Sequence, residues 1–154
     1  MRGGRIEVDG AVGALAAAEA SGGFLFVRGD AGERLAGALP GSGGAAGVTV
    51  LVEGRAGPMA GEAMRRGLVI LLGGCGDRVG FGLRGGTVLV RGPCGARPGA
   101  AMRRGSLLLL EGAVEAGPTF ADARTALARR PAPPSDRARP ARSFVAATGT
   151  AAGG

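Results

Sequence analysis

The residues of this chain best placed to do chemistry are glycines, cysteines and arginines. In "GCGDRVGFGLRGG", Gly74 to Gly86, the residues Gly80, Gly82 and Gly85 spell G-x-G-x-x-G. That spacing can cradle a dinucleotide pyrophosphate, provided that a strand precedes it and a helix follows. Cys75 and Cys94 are the two sulfur nucleophiles, and Arg65, Arg84 and Arg103 recur at the same interval of nineteen. Histidine is absent. Its absence removes His-based zinc sites and both Ser-His-Asp and Cys-His catalysis.

The elements that must position these residues follow from composition. The chain has 154 residues, the size of one domain, with 33 glycines and only 3% aromatic residues. Glycine is at about three times its usual share, without the Gly-X-Y period of collagen. No secretory signal is visible and no apolar run reaches the ~18 residues of a membrane span, so a cytoplasmic protein off the membrane is expected.

Written in rows of nineteen from Val48, the chain repeats. "VTVLVEGRAGPMAGEAMRR", "GLVILLGGCGDRVGFGLRG" and "GTVLVRGPCGARPGAAMRR" align without gaps, and "GSLLLLEGAVEAGPTFADA" follows as a degenerate row. Gly54, Gly73 and Gly92 share a column. So do Gly57, Gly76 and Gly95, then Gly61, Gly80 and Gly99. Ala56, Cys75 and Cys94 form another, as do Met64, Leu83 and Met102. Two earlier rows, from Gly4 and Gly23, fit once about six extra residues are allowed near "ALPGSGGAAG". A fixed period near twenty with one short strand per row marks a solenoid. The expected fold is all-β: a right-handed β-helix of five to six coils over 1–121, then a disordered basic tail over 122–154. Glycine is needed where the coil turns with positive φ, or where stacked backbones leave no room for a Cβ. The nucleotide reading of Gly80–Gly85 fails in this setting, because the strand "TVLVR" follows at once where a helix is required.

One strand face points into the coil: Ile6, Leu25, Val50, Val69, Val88 and Leu107, and beside them Val8, Val27, Val52, Leu71, Val90 and Leu109. The opposite face reads Glu7, Phe26, Leu51, Ile70, Leu89, Leu108. Strands that are apolar on both faces are normally covered on both. The C-terminal tail folded back, or a partner subunit, could cover Leu51, Ile70, Leu89 and Leu108. The partner is favoured, because the tail carries little apolar pattern.

Arg65, Arg84 and Arg103 form one ladder, and Arg78 and Arg97, with Arg34 in the matching early position, suggest another. Like charges about 5 Å apart repel by about 1–3 kcal/mol per pair at effective dielectrics of 20–80. The side chains either splay into water or meet an anionic surface, such as a partner's acidic residues or a polyanionic ligand. Cys75 and Cys94 read as small buried residues. A metal needs more ligands, and a disulfide between adjacent rungs, though geometrically conceivable, is not expected in a reducing compartment. Neither a metal nor a bound cofactor is expected. The tail, "ALARRPAPPSDRARPARS" and then "SFVAA", has the composition of linker or disorder, with "SFVAA" its one apolar patch to dock on a neighbour. It lacks the aromatic interleaving of a nucleic-acid binder, so no nucleic-acid partner is expected.

The rows read G-x-[AC]-G-x-x-x-G-x-x-[ML]-R-x-G-x-[VL]-x-[VL], carried by "GRAGPMAGEAMRRGLVILLGG", "GCGDRVGFGLRGGTVLVRG" and "GPCGARPGAAMRRGSLLLLEG". This resembles the GXGXG β-helix family, which includes the C subunit of formylmethanofuran dehydrogenase and the C-terminal domain of the glutamate synthase large subunit. "GPTF" at Gly117–Phe120 resembles the segment after the last coil in the formylmethanofuran branch. The resemblance implies a non-catalytic scaffold in a formyltransferase/hydrolase complex of one-carbon metabolism. An amidohydrolase-like subunit and a formyltransferase would carry the chemistry, on a methanofuran-type carrier. It transfers no catalytic residue and no cofactor contact. Two alternatives stand beside it: a β-helix module of a glutamate-synthase-like flavoenzyme, and a self-assembling structural solenoid.

Overall fold

The opening run of aliphatic and β-branched residues in each row becomes a strand. The strands are β1 (Arg5–Val8), β2 (Gly23–Val27), β3 (Val48–Val52), β4 (Leu68–Leu71), β5 (Arg84–Val90) and β6 (Arg104–Leu109), with β7 (Arg124–Leu127) and β8 (Val145–Thr148) beyond them. The computed structural model describes residues 1–41 and 47–110, and the backbone of residues 124–127 and 145–148. β1 to β6 pair in parallel, each with the next, as one face of a β-solenoid. Ile6 sits beside Leu25, Leu25 beside Val50, and so on to Leu107, as the alignment of rows requires. The step from Gly23 to Val48 carries the six extra residues. Arg65 N donates to Leu39 O as Arg84 N does to Met64 O, so the coil is still in phase at Leu39 and the insertion lies between Leu39 and Val48.

A second ladder, one residue wide, holds the opposite corner of each coil. It joins Val12, Ala31, Ala56, Cys75 and Cys94 by isolated parallel bridges. Between the ladders the core is aliphatic. Val50, Val52, Val69, Leu71, Val88 and Val90 are 0% exposed, as are Leu35, Ala60 and Val79 on the third side. Among the described residues no polar side chain is buried.

The two reasons expected for glycine separate by column. A Cβ on Gly76 would lie 2.7 Å from Pro58 N in the coil before it, so this column marks close stacking. Gly80, with φ +67°, occupies the i+2 position of the turn that Phe81 N closes on Arg78 O and the first position of the next, which Leu83 N closes on Gly80 O. Positive φ there is a property of the coil more than of glycine: Ala17 and Ala36 occupy the same place at 56° and 55°, and Arg34, Arg78 and Arg97 share another at 53°, 57° and 53°.

Three expectations need correction. Ile6, expected in the core, is 47% exposed, and Val8 is only half-buried. Among the described residues no coil lies on the far side of β1, so inward-facing residues there have a neighbour on one side only. The tail is also amended at two points. β8, which includes most of "SFVAA", pairs antiparallel with β6 of its own chain, and β7 pairs antiparallel with β8. The rest of the tail, and the "GPTF" segment, lie outside the described residues.

Candidate interaction face

Alternation along each strand turns three columns outward. The middle column, Phe26, Leu51, Ile70, Leu89 and Leu108, is in register across β2 to β6, and each of its residues is half-buried. The expected stripe of Leu51, Ile70, Leu89 and Leu108 is therefore brought together on one face. Leu68 flanks it on one side, and Leu72 and Leu110 on the other, all half-buried. The sequence reading missed these three, although each stands two residues from a stripe member, the spacing that returns to the same face.

The two ends of this face differ. Arg5 stacks over Phe24 at 5.2 Å and Arg28 over Phe26 at 5.7 Å. These guanidiniums shield the aromatic end and are themselves tied down, Arg5 to Glu7 and Arg28 to Asp9, the latter at 3.2 Å. From β3 onward the aliphatic face carries no such cover among the described residues.

Arg65, Arg84 and Arg103 sit at one corner, Arg65 and Arg103 just before their strands and Arg84 at the start of β5, and all are exposed. The corner is bulged. Arg103 N and Arg104 N both donate to Leu83 O, at 2.8 and 3.2 Å, and Arg84 N and Gly85 N both donate to Met64 O, at 2.9 and 3.1 Å. Strand pairing sets Arg84 against Arg104, so the ladder is wider than the single column expected: Arg104 joins it. Arg65, Arg84, Arg103 and Arg104 have no carboxylate partner among the described residues. The second set divides, since Arg34 pairs with Glu62 at 3.2 Å and Met59 occupies the place between Arg34 and Arg78.

Charge follows the same division. Residues 1–54 carry four arginines against six acids, and residues 55–110 carry nine against two. The open apolar face thus coincides with the cationic half. Such a surface can bind a partner with an apolar centre and an acidic border. Among the described residues no group of three or more His, Cys, Asp or Glu could hold a metal, and no helix is long and apolar enough to cross a membrane.

No family model matches the chain, and no curated protein matches it. Among solved structures it is similar to a chain of the formyltransferase/hydrolase complex (FhcABCD) from Methylorubrum extorquens, solved in complex with methylofuran. The identity is 35% and the TM-score 0.66, over 75% of this chain and 43% of that one. The chain therefore spans less than half the length of that relative.

Proposed function

We propose that this chain is a non-catalytic scaffold subunit, of the C-subunit type, in a formyltransferase/hydrolase complex of one-carbon metabolism. The observation that carries the reading is the 35% identity to a chain of such a complex. The open aliphatic face with its arginine corner supports it by supplying the docking surface that a scaffold requires. In this reading Leu51, Ile70, Leu89 and Leu108 pack against an amidohydrolase-like or formyltransferase subunit in the cytoplasm. Arg65, Arg84 and Arg103 face that partner's acidic border. The formyl group is carried on a methanofuran-type cofactor held elsewhere in the complex. Chemistry belongs to the partners, so the purified chain alone should neither transfer a formyl group nor hydrolyse a formamide.

The test is affinity purification of the tagged chain from its own cells, with the co-purifying proteins identified by mass spectrometry. A formyltransferase and an amidohydrolase-like protein are the expected companions. A flavin-dependent synthase in their place, or no companion at all, would overturn the reading. Leu89→Asp locates the interface. The side chain points away from the core, so the coil should fold with unchanged circular dichroism. Assembly should be lost, because a carboxylate buried without a partner costs several kcal/mol, about 3–5 by analogy with broken buried pairs.

A further inference from the structure

The one-residue ladder brings together the two cysteines, a pair that the scaffold reading leaves without a role. Cys75 and Cys94 are directly paired on adjacent coils, and their sulfurs lie 2.9 Å apart. Rungs at the ~4.8 Å strand spacing fall inside the 4.4–6.8 Å window of Cα separations that a disulfide spans. Cys75 is completely buried, whereas Cys94 is half-exposed. We propose that Cys75 and Cys94 are a redox modification site, oxidised by hydrogen peroxide to a disulfide that staples two neighbouring coils.

The roles of the two thiols follow from their surroundings. The two sulfurs share one hydrogen bond, which lowers the pKa of Cys94. Sharing that hydrogen bond, together with burial, pushes Cys75 up. Burial opposes the Cys94 thiolate, Gly95 N–H and Arg55 favour it, and Asp77 opposes it more weakly. Arg55 is held in place by its Nη2, which donates to Cys75 O at 3.3 Å. Cys94, the less buried of the two, is therefore the attacking thiolate and Cys75 resolves. Cys94 thiolate attacks a peroxide oxygen. The O–O bond breaks, an S–O bond forms, and the hydroxide released takes a proton and leaves as water. Cys75 then gives up its proton and its sulfur bonds to that of Cys94, expelling the second hydroxide as water. Two thiols and one peroxide become one disulfide and two waters. The two electrons lost by sulfur reduce the peroxide.

The staple adds a covalent link at a corner that has less strand pairing than the sheet. The parallel sheet joins neighbouring coils across four or more residue pairs, whereas the opposite corner joins them through one bridge per coil. The experiment uses the full chain and hydrogen peroxide, with intact mass, thiol titration, peptide mapping and thermal melting as readouts. The expected result is the loss of two hydrogens and of both titratable thiols, and one linked peptide containing Cys75 and Cys94. The melting temperature should rise by about 5–10 °C and fall back with dithiothreitol. Cys75→Ala should fold normally, because Ala56 fills the same column two rungs from Cys94. In that variant peroxide should give no stabilisation, and the rate of Cys94 alkylation should turn on at a higher pH than in wild type. Two free thiols surviving peroxide, oxygen added to Cys94 without a linked peptide, or an alkylation profile unmoved by Cys75→Ala would each overturn the proposal.

Discussion

The first coil and the central coils are built from the same repeat, yet they differ in how much each residue contributes. Ile6 and Leu71 are both inward-facing aliphatics of the strand, but Ile6 is 47% exposed and Leu71 is 0% exposed. Gly13 and Gly76 share a column. A Cβ on Gly13 would meet nothing within 4 Å, and a Cβ on Gly76 would strike the backbone of the coil before it. In a stack, a residue's environment is made by the coils above and below it. Position along the axis therefore decides what a conserved-looking pattern is worth.

The glycine column offers the largest test of this comparison. Gly76→Ala should destabilise by about 3 kcal/mol or more, or prevent folding, because stacked backbone cannot yield as a side chain can. Gly13→Ala, with open space and no positive φ, should change stability by about 0.5 kcal/mol or less. Urea denaturation of both variants measures this, and equal costs would break the comparison. Next in size is the core. Leu71→Ala should cost about 3 kcal/mol by creating a cavity, and Ile6→Ala about 1 or less, since its side chain is already half in water. The change should appear in the urea midpoint with the slope unaltered. The smallest effect sharpens the comparison by defeating it. Ala63 in the middle and Glu19 at the end both have positive φ, 51° and 55°. Relieving that strain is a local matter, so Ala63→Gly and Glu19→Gly should each stabilise by a similar amount, about 0.5 kcal/mol. A marked difference between them would mean that the strain, too, is set by stacking.

The same argument explains what could be read from sequence. Period, register and inward columns were legible because they belong to a coil's relation to its own copies, as the run of pairs from Leu25 to Leu107 shows. Leu51, Ile70, Leu89 and Leu108 were legible for the same reason. What belongs to an end was not legible: the exposure of Ile6, the shielding of Phe24 and Phe26 by arginines, and the antiparallel strand β8 on β6. Positive φ at Arg34 and Arg78 was hidden as well, since nothing in an arginine announces it. The second corner register, Arg84 against Arg104, was concealed by a bulge that the row alignment cannot express.

The six-residue insertion has a further consequence. Everywhere else along the coils, the chain resembles a text in a fixed reading frame, where one letter more or less shifts every later column onto the wrong face. Between Leu39 and Val48 the frame is suspended: twenty-five residues make the circuit that nineteen make in other coils, and Val48 resumes in phase with Gly23. Length added there is not counted by the fold. This is where new sequence, such as a tag, a recognition loop or a whole small domain, can be written into the solenoid without re-indexing the coils that follow.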